Sequence, residues 1–130
     1  MALILVDTSA VYALIDRDDR NHAPAKAKLK ALKRQKLEPF LTNFLVAETH
    51  ALLLSRLGID VARQWLLANV WRIESVIPSD EQKARDIIRT YVDKDFSYTD
   101  ASSFAVMERL GLETAFTFDR HFKQYGFDLH

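Results

Sequence analysis

The feature that most constrains the fold of this chain is an uninterrupted apolar segment near its start. Residues Ala2–Val6 (ALILV) are all apolar and mostly branched, and the segment stops at Asp7. A half-exposed strand would alternate apolar and polar residues, so a run with no polar member indicates a strand that is covered on both faces. Strands of this kind occur in parallel sheets packed between helices, which predicts an α/β fold.

The rest of the chain alternates short apolar segments with helix-like ones. We predict strands over residues 2–6, 40–42, 71–77, 115–118 and 127–129, and helices over residues 8–15, 24–36, 44–56, 59–70, 79–92 and 97–110. This alternation predicts a mainly parallel sheet of about four to five strands with helices on its faces. The 130 residues suffice for one domain, so we expect residues 1–130 to form it.

Two helix starts are predicted from capping residues. Asn43 directly precedes an apolar helical segment and is a favoured N-cap residue. Ser79 and Gln82 lie three residues apart at the start of another, which is the spacing of a capping box.

Composition excludes several classes of protein. The chain has no cysteine, which excludes disulfides, thiolate zinc sites and thiol nucleophiles. Its three glycines are too scattered for a phosphate-binding loop, a dinucleotide fingerprint or a nucleophile elbow. No apolar run approaches the roughly 20 residues of a membrane span, and the first six residues lack the basic start of a signal peptide. We therefore expect a cytoplasmic protein.

Four acidic residues occupy positions that the predicted fold would bring together. Asp7 and Asp119 end two strands, and the carboxyl ends of parallel strands meet at one edge of a sheet. Glu48 shares a helical face with Phe44 and has no lysine or arginine one turn away, and Asp100 begins an apolar helix. Each has an ordinary alternative, since the aspartates could cap helices and Glu48 could face water.

Gathered carboxylates repel one another unless a cation holds them. Oxygen ligands of this kind suit Mg²⁺ or Mn²⁺. Three hydroxyl side chains lie beside these acids in the sequence and could orient water or a ligand around the ion: Thr8, Ser9 and Thr117.

Four segments resemble the ordered acidic motifs of PIN-domain ribonucleases, and especially of VapC-type toxins from toxin–antitoxin pairs: VDTSA, NFLVAETHALL, SYTDASSFAVM and FTFDRHF. The resemblance spans nearly the whole chain. It implies a PIN-like three-layer sandwich and a metal-dependent endoribonuclease that leaves 5′-phosphate and 3′-hydroxyl ends. It also implies that the metal is bound, and catalysis carried, by Asp7, Glu48, Asp100 and Asp119.

One position departs from this pattern. Many relatives carry a further acid two residues after the last aspartate, where this chain has His121. This leaves both one-ion and two-ion centres open. For His121 itself we expect a role in capping the short terminal turn rather than a contact with phosphate.

The resemblance also implies partners. The chain has 18 basic and 18 acidic residues, but a stretch near residues 20–37 is basic without an acid. Four residues of this stretch are candidates for RNA contact, although a solvated helix face is the favoured explanation for them: Lys26, Lys30, Lys33 and Arg34. The helical pair over residues 44–71 is apolar on more than one face, which fits an antitoxin peptide, a homodimer contact or burial within one molecule.

Other functions are compatible with an α/β fold that has acids at strand ends. A stand-alone PIN-domain nuclease in RNA processing and a catalytically weak PIN-like binding module both remain open. A response-regulator phosphoacceptor is disfavoured because Arg120 follows Asp119 where a lysine is expected, and a haloacid-dehalogenase-like phosphatase because Ser9 stands where it needs a second aspartate.

Overall fold

One parallel sheet organises the computed structural model, which describes residues 2–130. The strands in this part of the chain are β1 (Ala2–Val6), β2 (Leu37–Thr42), β3 (Arg72–Glu74), β4 (Thr114–Phe116) and β5 (Asp128–Leu129). The helices are α1 (Thr8–Ile15), α2 (His22–Arg34), α3 (Asn43–Leu57), α4 (Ile59–Ala68), α5 (Pro78–Thr90), α6 (Tyr98–Arg109) and α7 (His121–Tyr125). The predicted α/β class is confirmed.

The strand order is β3-β2-β1-β4-β5, and every neighbouring pair is parallel. Strand β1 lies at the centre, and Ile4, Leu5 and Val6 are almost completely buried. Successive side chains of a strand point to opposite faces, so helices must cover both faces of the sheet there. The chain leaves β1 toward β2 on one side and returns as β4 on the other, which opens a crevice at the carboxyl ends of β1 and β4.

Strand β2 begins at Leu37, earlier than predicted, and includes Pro39, which the sequence analysis placed before the strand. Pro39 pairs with Ile4 of β1, whereas the pairing of β2 with β3 is confined to residues 40–42. On the β3 side Pro39 therefore lies beyond the ladder, where its missing N–H costs no hydrogen bond.

The two predicted helix starts are wrong in detail. The Oγ1 atom of Thr42, not Asn43, accepts a hydrogen bond from the backbone N of Leu45 at 3.0 Å and caps α3. Asn43 instead accepts from the backbone N of Val76 at 2.8 Å, which ties the segment after β3 to the start of α3. At α5 the carboxylate of Asp80, rather than a Ser79–Gln82 pair, accepts from the backbone N of Ile77 at 3.0 Å.

Several elements end sooner than predicted. Strand β3 covers three residues of the predicted seven, α4 stops at Ala68, and β4 stops at Phe116. Beyond β4, side chains replace the sheet ladder, because Ser9 Oγ accepts from the backbone N of Phe118 and Thr117 Oγ1 accepts from that of Asp119, both at 2.9 Å. Within residues 2–130, none of the helices combines the length and the apolarity that crossing a bilayer requires.

Candidate metal centre at the carboxyl edge of the sheet

The four acids singled out in the sequence line one cleft of about 470 Å³ at the carboxyl ends of β1 and β4. Asp7 directly follows β1, and Asp119 lies three residues after β4. Glu48 projects from the second turn of α3 and Asp100 from the first turn of α6. The structure thus brings together side chains that are more than 100 positions apart in the chain.

Asp7 lies at the bottom of the cleft and is only 4% exposed. Its Oδ2 atom accepts hydrogen bonds from Ser9 Oγ at 2.9 Å and from Thr117 Oγ1 at 3.0 Å. The pKa of Asp7 is raised to about 6, chiefly by burial and to a smaller extent by the nearby carboxylates of Asp100 and Glu48, while the two hydrogen bonds lower it. Within residues 2–130 no lysine or arginine forms an ion pair with it. Asp7 is therefore a buried acid without a cation.

Asp100 both caps its own helix and faces the cleft, which are the two roles that the sequence left open. Its carboxylate accepts from the backbone N of Ser97 at 3.0 Å, and Ser97 Oγ accepts from the backbone N of Asp100 at 3.0 Å, so the two residues form the capping box of α6. The same carboxylate oxygen that caps the helix lies 2.8 Å from Nδ1 of His121. Capping fixes the carboxylate while leaving it at the cleft.

The carboxylate of Asp119 is fixed by a hydrogen bond at the start of α7. Its Oδ1 atom accepts from the backbone N of His121 at 2.9 Å, so Asp119, and not the imidazole of His121, caps the short helix α7. The expected capping role of His121 is therefore wrong, because the ring points into the cleft and lies 3.3 Å from Asp119 Oδ1. Asp100, Asp119 and His121 each present one ligand atom, and these atoms all lie within 4.8 Å of one another.

Glu48 lies on the cleft wall formed by α3 and is half-buried. The fully buried face of α3 carries Leu45, Thr49 and Leu53. Glu48 is next to Thr49 in the sequence and therefore lies beside this face rather than in it. The sequence left a buried position and a solvent-facing one open for Glu48, and in the structure it is half-buried at the cleft.

The three hydroxyl residues have different partners. Ser9 and Thr117 donate to Asp7 and lie 3.1 Å from each other, so they hold the carboxylate from the side of β4. Thr8 instead makes a hydrogen bond to Thr49 of α3 at 3.0 Å. It joins α1 to α3 and lines the cleft, and among the described residues its side chain makes no hydrogen bond to an acid.

The basic residues proposed for RNA contact lie elsewhere. Lys26, Lys30, Lys33 and Arg34 are exposed on α2, and none of them lines the cleft. The arginine that does line it is Arg56, whose guanidinium carbon lies 5.2 Å from the centre of the Tyr12 ring. Arg56 was not predicted from the sequence, although it follows Glu48 by eight residues on the same helix, a spacing that keeps both on one broad face.

The donor set fits a divalent cation. Five carboxylates line the cleft, against one arginine and one histidine: Asp7, Glu48, Asp95, Asp100 and Asp119. Oxygen ligands in this number are what Mg²⁺ and Mn²⁺ take in proteins. A positive ion would also remove the cost of keeping Asp7 ionised where it is buried.

Comparison with known proteins gives consistent results over almost the full chain. The sequence profile of the family described as PIN domain matches residues 4–128. A curated relative, the 23S rRNA-specific endonuclease VapC20 of Mycobacterium tuberculosis, is 34% identical over an alignment 128 residues long that covers 96% of this chain and 95% of that protein.

Solved structures show the same likeness. The crystal structure of Mycobacterium tuberculosis VapC20, described as a sarcin-ricin loop cleaving toxin, superposes with a TM-score of 0.82 at 33% identity and covers 95% of each chain. FitAcB from Neisseria gonorrhoeae shares the fold, with a TM-score of 0.70 at 21% identity over 97% of this chain and 95% of its own.

Proposed function

Because this chain belongs to the PIN-domain family, we propose that it is a metal-dependent endoribonuclease and the toxin of a VapC-type toxin–antitoxin pair. The observation that carries the proposal is the buried, unpaired Asp7 at the base of a cleft lined by four further carboxylates. The single sheet that includes strands from both ends of the described chain supports residues 1–130 as one nuclease domain.

In this proposal Asp7, Asp100 and Asp119 bind Mg²⁺ or Mn²⁺, and Glu48 completes the site from α3. When bound, such an ion would supply an acidified water and neutralise negative charge on the phosphate oxygens. Ionised carboxylates are needed to bind it, so activity falls in acid. Hydrolysis by water, without attack by a 2′-hydroxyl, leaves 5′-phosphate and 3′-hydroxyl ends.

The protein's own residues set the geometry of this reaction. Ser9 and Thr117 fix the carboxylate of Asp7 by donating to one oxygen, which leaves the other oxygen without a hydrogen bond from them. The backbone N of His121 fixes Asp119 in the same way. Ligands that are already oriented lose little freedom when the substrate arrives.

Arg56 is the residue best placed to attract RNA into an acidic cleft. Its guanidinium lies over the Tyr12 ring at the rim and offers planar donors for a phosphate. The α2 residues Lys26, Lys30, Lys33 and Arg34 would contact RNA only outside the cleft, where each phosphate contact steepens the salt dependence of binding.

For the substrate we propose a structured ribosomal RNA loop. The reason is the full-length similarity to VapC20, whose described substrate is 23S rRNA and whose described cleavage site is the sarcin-ricin loop. An RNA of this kind places the site of action in the cytoplasm.

For the antitoxin we propose a groove of about 480 Å³ between α1, α2 and α4. Its walls are apolar and include Val11, Leu14, Leu29, Trp65 and Trp71. Val70, which lines the groove, is 91% exposed and Leu67 of α4 is 77% exposed, so the apolar helical pair is only partly buried in this molecule. Exposed apolar surface of this kind suits an amphipathic peptide. The expected homodimer would use a second exposed set on β3, directly before α5 and on α5: Ile73, Ile77 and Ile88.

The test is cleavage of 23S rRNA by the wild-type protein and by Asp7→Asn, with Mg²⁺, with Mn²⁺ and with EDTA, followed by mapping of the 5′ ends. We expect the variant to lose at least about a hundredfold in rate, because it removes a charged carboxylate that binds the ion on which the reaction depends. The matched control is Asp18→Asn, which makes the same change at an exposed position outside the cleft. Equal cleavage by wild type and Asp7→Asn, or cleavage undiminished by EDTA, would overturn the assignment, and absence of cleavage by the wild type would favour a binding module.

A further inference from the structure

The imidazole of His121 lies at the position that a metal ligand would occupy. Its Nδ1 atom is 2.8 Å from Asp100 Oδ2 and 3.3 Å from Asp119 Oδ1. Two ligand atoms that bind one ion at about 2.1 Å and at right angles lie about 3.0 Å apart. The Nδ1 atom therefore has the spacing of a neighbouring ligand to each of the two oxygens, and one ligand atom from each residue lies within 4.8 Å of the others.

The ring is also held in this orientation. Its edge packs against Phe96, with ring centres 5.6 Å apart and planes at 78°. Its backbone N is bonded to Asp119, which fixes the start of α7. No hydrogen bond joins Nε2 to another of the described residues, so that nitrogen can carry the ring proton while Nδ1 faces an ion.

We propose that Nδ1 of His121 coordinates the divalent ion directly, together with Asp100 and Asp119, so that this centre selects Mn²⁺ over Mg²⁺. The proposal rests on the proposed function only in requiring a divalent ion in the cleft. Imidazole nitrogen is a ligand for first-row transition metals, whereas Mg²⁺ takes oxygen ligands and keeps its waters. An acid at this position would give an all-oxygen site without that selectivity.

Electron paramagnetic resonance of the Mn²⁺-loaded protein tests direct ligation without measuring activity. Electron spin echo modulation is expected to show a coupled ¹⁴N nucleus in the wild type, and labelling of histidine with ¹⁵N is expected to change the modulation. The signal should disappear in His121→Asp. It should persist in His50→Gln, since His50 lies on α3 and does not line the cleft.

Calorimetric titration with Mn²⁺ and with Mg²⁺ measures the selectivity. The ratio of the two dissociation constants is expected to change in favour of Mg²⁺ by about tenfold or more in His121→Asp. A wild-type protein without a nitrogen signal, or a variant with an unchanged ratio, overturns the proposal. If His121→Asp does not fold, the spectrum of the labelled wild type alone still decides whether nitrogen binds the ion.

These measurements also separate the proposal from the proposed function. Mn²⁺ ligation by nitrogen in a protein that does not cleave RNA would leave the inference standing and remove the nuclease. Metal-dependent cleavage by a protein without nitrogen ligation would support the nuclease and remove the inference. His121 would then only donate a hydrogen bond to Asp100.

Discussion

Asp7 and Asp80 are buried to nearly the same extent, 4% and 3% exposed, yet their carboxylates have different partners. Asp80 is paired with Arg109, whose Nε and Nη2 atoms lie 3.0 Å from its two carboxylate oxygens. Asp7 has two hydroxyl partners and no basic one. A buried carboxylate needs a positive partner, and the fold supplies it at Asp80 but not at Asp7. This difference distinguishes a structural aspartate from one that awaits a ligand.

The same substitution at the two positions gives the strongest test of this comparison. Asp80→Asn is expected to lower the free energy of unfolding by about 3 kcal/mol, because it breaks a largely buried ion pair between α5 and α6. Urea unfolding at pH 8 in EDTA measures it. A loss below about 1 kcal/mol would mean that Arg109 contributes little to holding Asp80.

Asp7→Asn is expected to have the opposite sign and a smaller size. The pKa of Asp7 is raised from 3.8 to about 6 in the folded protein, so the folded state binds this proton more tightly than the unfolded one. Stability from this group is therefore full below about pH 4 and is lost as the pH rises to about 6, at a cost of about 3 kcal/mol.

The asparagine variant avoids that cost but keeps weaker hydrogen bonds to Ser9 and Thr117, so we expect a gain of about 2 kcal/mol at pH 8. Little change is expected at pH 4. Urea unfolding in EDTA at the two pH values checks both points, and a destabilised variant at pH 8 would contradict this account of the cleft.

Metal addition sharpens the comparison further. Mn²⁺ at ten times its dissociation constant is expected to stabilise the wild type by about 1.4 kcal/mol, because it binds the folded state only. Asp80→Asn should respond as the wild type does, and Asp7→Asn should respond much less. Thermal melts with and without Mn²⁺ measure this, and an equal response of all three proteins would place the ion away from Asp7.

The smallest expected effect concerns the hydroxyl partners of Asp7. Ser9→Ala removes a donor to Asp7 and an acceptor for the backbone N of Phe118, which should cost about 1 kcal/mol. In a double-mutant cycle with Asp7→Asn, measured by urea unfolding, we expect a non-zero coupling energy. Strict additivity would show that Ser9 acts on the β4 segment alone.

The sequence predicted the cleft acids better than it predicted their surroundings. Asp7 and Asp119 were identifiable because they follow apolar strands, and parallel strands bring such ends together wherever they lie in the chain. The pairing of Asp80 with Arg109, 29 residues apart, depends on how α5 packs on α6, and no periodicity reports it.

The sequence singled out His121 as a departure from the family pattern, but the direction of its ring was predicted wrongly. Its ring direction follows from the start of α7, which Asp119 sets by accepting a backbone hydrogen bond. Arg56 was missed although its helical spacing from Glu48 was available. The cap at Thr42 was missed because Asn43 is an equally good capping residue by type, and only the tertiary bond from Val76 decides between them.

The two segments that carry Asp7 and Asp119 at the cleft are held in place by different hydrogen bonds. Asp7 continues the central strand β1, and its backbone N is bonded to the carbonyl of Phe116, whereas the segment from Thr117 to Asp119 is held by side-chain hydrogen bonds outside the ladder. Amide protons of β1 should therefore exchange with solvent only when the whole molecule unfolds, and those of residues 117–121 through a smaller, local opening. An ion bound between Asp7 and Asp119 would then be released by a local fluctuation of residues 117–121 alone. The end of β1, which carries Asp7, would stay folded and could bind the next ion.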